Sequence, residues 1–269
     1  MDKNLFVKNN SNPSISLAFC VFLDVLGFAN EILLSHKNKK SDEHLNKFYQ
    51  AFKTSASNFK SDSRMWETKI FTDNIVLGAA INSNRGLDDE DYFGVMITSI
   101  MEYQLSMVLS NYFIRGGWTV GELYMDENIV YGESLITAYH LESKNADVPR
   151  IIFSEDMMKM IKKHLGYYAE DYFPPHKADI LKDEDGFYFV NYLGAIIHDS
   201  DNIDFESLMN HKTIVEKRLE QHKKDFSILS KYRWVAEYHN FFCETYINKC
   251  DYKYYVDIFD LERKFSLIP

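Results

Sequence analysis

An α+β fold closed by a helical tail is predicted for this chain by three observations. A ten-residue, mainly apolar run at 15–24 reads as a buried central strand. Strand and helix signals then follow in the order β, α, α, β, β, α, β, β, α, β. From about residue 204 only helical periodicity remains. With 269 residues, 46% hydrophobic and 15% aromatic, the chain can bury a substantial core.

Residues 15–24 end in Asp24, and Gly27 then allows a tight turn into the helical spacing of VLGFANEILL. A polar helix is expected over about 42–60. WETKIFT and IVLGAAI then flank Asp73-Asn74, a turn pair suited to a hairpin. Asp88, Asp89, Glu90 and Asp91 open a helix through Met107, and acids in a first turn suit the helix dipole, so this charge run reads as a solvated helix start. Strands are expected at YFIRGGWTVGELY and NIVYG, joined through Asp126-Glu127-Asn128, then a helix at GESLITAYHLES and a strand at PRIIFS. A short helix, a break at Pro174-Pro175 and a strand at FYFVNY complete the core. In the tail Val215, Leu219, Phe226, Leu229, Tyr232, Val235, Tyr238, Phe242 and Tyr246 share a face by three- and four-residue steps. The division expected is a polar segment 1–14, a core domain 15–200 and a helical extension 201–269 packed on the core or on a dimer.

The formal charge of −10 argues against nucleic acid as partner. Three cysteines, Cys20, Cys243 and Cys250, with no CxxC pair suggest neither a disulfide framework nor a zinc site. With no signal-peptide pattern and no apolar run of bilayer length, a cytoplasmic location and no membrane partner are expected. His239 and Cys243, four apart among aromatics, read as core packing, and there is no defensible Ser-His-Asp or HExxH arrangement.

A lone carboxylate ending an apolar strand needs a partner, because burying it unpaired costs several kcal/mol. Asp24 and Asp73, at the tops of two strands, could hold divalent cations against a triphosphate. Equally, Asp24 could cap its following helix and Asp73 could be a turn acid.

Taken in order, FLDVLGF, KIFTDNIVLG, FIRGGWTVGELY and VYGESLITAYHLE resemble the catalytic domain of class III nucleotidyl cyclases, over roughly residues 15–195. The short motifs, PRIIFS and the tail KYRWVAEYHNFF are most similar to the bacterial pyrimidine cyclases of the Pycsar anti-phage systems. The resemblance implies a ferredoxin-like core, a head-to-tail homodimer with sites at its interface, and two Mn²⁺ or Mg²⁺ ions per site. It also implies a UTP or CTP substrate and a separate effector activated by the cyclic nucleotide. Asp24 and Asp73 match the metal-binding aspartates, with the Val25 carbonyl as a further ligand. Arg115 matches the triphosphate clamp, its other reading being a strand-end salt bridge, and Gly116-Gly117 would let backbone approach phosphate.

The sequence also departs from that pattern. Ile136 and His140 occupy the positions where adenylate cyclases present an asparagine and an arginine, and only His140 can donate a hydrogen bond. It is a candidate transition-state group or, alternatively, a packed interface histidine. Lys69 and Ile129 fall at the base-contacting positions, and Ile129 offers no acceptor to an exocyclic amine, which favours uracil. The alternative reading of Lys69 is a surface strand residue. A purine cyclase, a decayed cyclase-fold binding module and a GGDEF or polymerase-palm enzyme are the alternatives.

Overall fold

The computed structural model describes residues 6, 13–57, 59, 65–81, 88–169, 174, 176–199, 202–258 and 263–268. Most of the polar segment 1–14, the end of the helix expected to reach 60, and Pro175 lie outside the described residues.

β1 (Ser16–Val25) is nearly all apolar because both of its faces are covered. It pairs antiparallel with β3 (Asn74–Ala80) on one side and β4 (Ile114–Met125) on the other. Beyond β3 lies β2 (Glu67–Phe71), so the strand order β4-β1-β3-β2 is that of a ferredoxin-like unit. The sheet continues past β4 through β6 (Ile151–Phe153), the parallel neighbour of β4, then β8 (Tyr188–Val190), β7 (Ile180–Lys182) and β11 (Ser266–Leu267). A short β5 (Val130–Tyr131) pairs with the far end of β4. The α+β class expected from the order of elements is the one observed.

The period of two along β1 divides the core. Phe19, Val21, Leu23 and Val25 pack with the side of α1 (Phe28–Lys37), α2 (Ser41–Ser55) and α3 (Asp89–Leu109). Ala18, Cys20 and Phe22 pack on the opposite face with Ala138 of α4 (Glu133–His140). Asp24 continues the second set. The acid run at 88–91 starts α3 as a capping box: Asp88 Oδ1 accepts from the Asp91 amide at 2.9 Å, and Asp91 Oδ2 accepts from the Asp88 amide at 3.3 Å. Its other two acids are not simply solvated, since Asp89 meets buried His164 at 3.3 Å and Glu90 meets His176 at 3.4 Å.

The hairpin turn differs from the expected one by one residue. Phe71 pairs with Asn74, so the turn is Thr72-Asp73 and Asn74 opens β3. Thr72 takes the left-handed region at φ 57°, an uncommon place for a β-branched residue and a site of stored strain beside Asp73.

After α5 (Glu155–Leu165), the short α6 (His176–Asp179), a 3₁₀ segment Tyr192–Ile196 and the paired strands β9 (Ile197–Asp199) and β10 (Asn202–Ile203) come α7 (Phe205–His222) and α8 (Phe226–Tyr246). Val215, Trp234, Val235, Tyr238 and Phe242 form one cluster with Phe113, Ile152, Phe189 and Tyr192 of the sheet layer. Trp234 Nε1 donates to Asp183 Oδ2 at 2.8 Å, Arg263 Nε donates to Asp183 Oδ1 at 2.7 Å, and buried Arg150 donates to Asp183 and Asp185. Phe226 does not share the buried face: as the first residue of α8, beyond the packed turns, it is 84% exposed. Among the described residues no helix is long and apolar enough to cross a membrane.

Candidate active site

The ends of β1 and β4 bring the first two groups together by register alone. Asp24 is the cross-strand partner of Arg115, and Arg115 Nε donates to Asp24 Oδ2 at 3.0 Å. The partner that Asp24 requires is thus, in this structure, a guanidinium. The strand-end salt bridge weighed for Arg115 is present. Asp24 does not cap α1, whose N-cap is Gly27 at φ 80° with no side-chain bond. Gly27 provides the turn that leads the chain from the carboxylate directly into the helix.

Asp73 joins from the neighbouring hairpin, near enough for its charge to act on Asp24. Its own Oδ1 accepts from Asn74 Nδ2 at 3.2 Å. Burial raises the Asp24 pKa, the Arg115 cation opposes that, and the Asp73 charge raises it again.

A third carboxylate, Glu142, went unrecognised in the sequence. It lies on a π-helical turn, Leu141–Asn145, that continues α4, and is only 3% exposed. Glu142 Oε1 stands 2.8 Å from Arg115 Nε as an ion pair but receives no well-aligned hydrogen bond. Burial pushes its pKa up to about 7, against the pull of Arg115 and helped by the charges of Asp24 and Asp73. The cluster therefore holds three carboxylates against one guanidinium, a net −2 when all are ionised.

That surplus, and a buried carboxylate oxygen lacking a donor, fit a hard divalent cation with oxygen ligands. Asp24, Asp73 and Glu142, with the Val25 carbonyl next in the chain, are the residues that would hold it. Among the described residues no group of three or more His, Cys, Asp or Glu side chains forms a ready metal cage.

Gly116 and Gly117 serve a different purpose from the one expected. A Cβ at Gly117 would stand 2.3 Å from the Ala138 carbonyl oxygen and 2.5 Å from Leu141 Cβ, and one at Gly116 would stand 2.6 Å from the Phe22 carbonyl oxygen. The space beside both is filled by the protein's own backbone and side chains. Gly117 lets α4 and its π turn lie against β4, which sets Glu142 over Arg115.

His140 ends α4, with Ile136 one turn before it, and both point to solvent, Ile136 being 58% exposed. Among the described residues His140 forms no hydrogen bond or ion pair with the carboxylates. Lys69, in the middle of β2, donates from Nζ to the Glu127 carbonyl in the β4–β5 turn. Two residues on, Ile129 is 52% exposed, and its carbonyl accepts from the Asp126 amide at 3.0 Å. Lys69 and Ile129 thus share one surface, with the lysine already bound to its own chain.

No protein-family model matches the chain, and no curated protein does. Among solved structures it is similar to a bacterial light-regulated adenylyl cyclase, with 12% identity over 76% of this chain and 57% of that one, at a TM-score of 0.46. It is also similar to a class III adenylyl cyclase-like ATP-binding protein from Pseudomonas aeruginosa, with 12% identity over 59% of this chain and 38% of that one, at 0.44. A third is the guanylate cyclase domain of RhGC from Catenaria anguillulae in complex with GTP, with 16% identity over 66% of this chain and 97% of that one, at 0.41. Likeness at this level leaves the activity to be argued from the residues themselves.

Proposed function

We propose that the chain is a class III nucleotidyl cyclase that converts a pyrimidine nucleoside triphosphate, UTP before CTP, to the 3′,5′-cyclic monophosphate and pyrophosphate. The observation that carries this reading is the meeting of Asp24, Asp73 and Glu142 with Arg115 at the turn from β1 into α1. A phosphoryl-transfer site needs little more from a protein than oxygen ligands for cations, a guanidinium for phosphate and a helix start beside them.

In the reaction the ribose 3′-oxygen forms a bond to the α-phosphorus as the bridging bond to the β-phosphate breaks. The hydroxyl proton is given up to water and pyrophosphate leaves. Divalent ions, when bound, lower the pKa of the attacking hydroxyl and neutralise the leaving pyrophosphate. Asp24, Asp73 and Glu142 gather the negative charge that binds them. Arg115, paired with Asp24 and Glu142, is the cation that would meet the phosphates beside them.

The exposed face of α4, with Ile136 and His140, is free to complete the site of a second copy, so the active form in this reading is a homodimer. Uracil suits the Lys69–Ile129 surface because it has no exocyclic amine to leave unpaired. A role in anti-phage signalling through a separate effector follows from the Pycsar resemblance. Incubation with each of the four ribonucleoside triphosphates and Mn²⁺, with products identified by mass spectrometry, tests the reading. A cyclic pyrimidine nucleotide supports it, cyclic AMP or GMP as main product overturns the base preference, and no cyclic product overturns the activity.

A further inference from the structure

A cavity of about 530 Å³ lies between the β1–α1 turn and the two tail helices. Leu26 and Gly27 form one wall, Arg115 a second, and Arg218, His222 and Lys231 of the tail a third. Arg115 is shared, since its Nε faces Asp24 and Glu142 while the side chain lines this cavity. Arg115 is thus the residue that the cavity lining and the carboxylate cluster have in common.

Its charge runs against the rest of the chain. Forty acids face thirty Lys and Arg in the whole sequence, whereas the lining here holds Arg115, Arg218 and Lys231 with a single acid, Glu31, and Arg115 is paired outside it with Asp24 and Glu142. Glu31 is already engaged, 3.3 Å from Arg218 Nη2 and 3.4 Å from His44 Nε2. Arg218 is held in place. Its Nε donates to Asn111 Oδ1 at 3.1 Å and its Nη2 to the Asn111 carbonyl at 2.8 Å, and its guanidinium lies 5.7 Å from the Tyr232 ring centroid. Lys231 is half-buried and forms no ion pair among the described residues. An anion entering the cavity would give this ammonium a counter-ion.

We propose that this cavity receives the β- and γ-phosphates of the substrate, and that Lys231 and Arg218 of the tail are phosphate-binding residues additional to Arg115. The inference rests on the cyclase reading and deepens it. A polyphosphate whose α-phosphorus sits by Asp24 can run along Val25, Leu26 and Gly27, the same residues that lead into the cavity wall. Its end then lies between a planar fork, Arg218, and a mobile point charge, Lys231, a pairing suited to a terminal phosphate. The tail helices thus become part of the substrate site.

Calorimetric titration of the full chain with inorganic pyrophosphate in Mg²⁺ tests this. Wild type is expected to bind, Lys231→Ala to bind at least fivefold more weakly and Lys231→Glu at least twentyfold more weakly. Arg218→Lys, which keeps the charge but loses the fork, should fall in between. Lys53→Ala, which removes an exposed charge from α2, should match wild type. Thermal melts of the Lys231 variants should match wild type, which separates lost binding from lost folding. Wild-type affinity in Lys231→Glu, or no pyrophosphate binding by wild type, overturns the inference. The cyclase reading is judged separately by the product assay. A wild type that makes a cyclic nucleotide while Lys231→Glu binds pyrophosphate normally leaves that reading standing and this one fallen. A wild type that makes none, yet loses pyrophosphate on Lys231→Glu, does the reverse.

Discussion

Acid should loosen the tail from the core, and His239 sets the amount. A buried chain of hydrogen bonds joins the 3₁₀ segment, α7, α8 and the residues after α8: Tyr192 Oη to His211 Nε2 at 2.8 Å, His211 Nδ1 to His239 Nδ1 at 2.9 Å, and His239 Nε2 to the Tyr254 carbonyl at 2.8 Å. A carbonyl only accepts, so neutral His239 carries its proton on Nε2 and accepts at Nδ1. His211 must then donate from Nδ1 and accept from Tyr192, so one direction satisfies every group. Protonating His239 sets two N–H groups against each other.

Burial holds His239 down to about 4 and His211 well below the ordinary histidine value. Between pH 4 and the unfolded value of about 6.5 the unfolded chain binds more protons than the native one. Stability from His239 is therefore complete above pH 6.5 and is lost as pH falls towards 4, with about 2 kcal/mol gone by pH 5. For a chain of this length that is about 4 °C in Tm. Glu142, raised to about 7, and Asp179, raised by burial to about 6, act with the opposite sign. The readout is therefore a difference. His239→Asn keeps an acceptor for His211 but cannot titrate, and it should be about 1–3 kcal/mol less stable than wild type at pH 8. By urea denaturation that gap should shrink by about 2 kcal/mol on going from pH 8 to pH 5. A gap constant across the range would refute the reasoning.

Asp24→Asn and Asp73→Asn should each abolish cyclic-nucleotide formation, read by mass spectrometry, with Tm unchanged or higher because like charges are removed. Mn²⁺ should raise the wild-type Tm by about 5 °C at a hundredfold excess over its Kd. It should leave that of Asp24→Asn unmoved. Gly117→Ala should lose about 1–3 kcal/mol in urea unfolding, from the 2.3 Å approach to Ala138, and most of its activity as Glu142 shifts with the helix. Mixing inactive Asp24→Asn with His140→Ala should restore a measurable rate if α4 of one copy completes the site of the other, and no rescue counts against that role for His140.

Much of the fold was legible because its signals are local. The apolar run ending at Asp24, the Gly27 turn and the acids opening α3 each act within a few residues. The one-residue error in the β2–β3 turn arose where Thr72 adopts a left-handed conformation that threonine disfavours, so residue preference pointed to the wrong pair. Phe226 was misplaced for a related reason: periodicity assigns a face, but not whether the core extends far enough to cover it.

The site was legible only in part, because most of its groups meet through tertiary packing. Asp24, Asp73 and Arg115 stood out as acids and a base at strand ends, yet nothing local shows that Asp24 and Arg115 are cross-strand partners. Glu142 did leave a signal. Ser134, Ala138 and Glu142 fall four apart, and the first two are small residues fit to lie against a sheet, so the third position of that stripe should also be buried. An acid there needs a reason, just as Asp24 did. Arg218 and Lys231 left no such trace, since a cation on an amphipathic helix reads as a solvated face until the helix is docked. Only the packing of α7 and α8 on Phe113 and Tyr192, fixed by the His211–His239 chain and by Trp234 on Asp183, turns those two charges towards the β1–α1 turn.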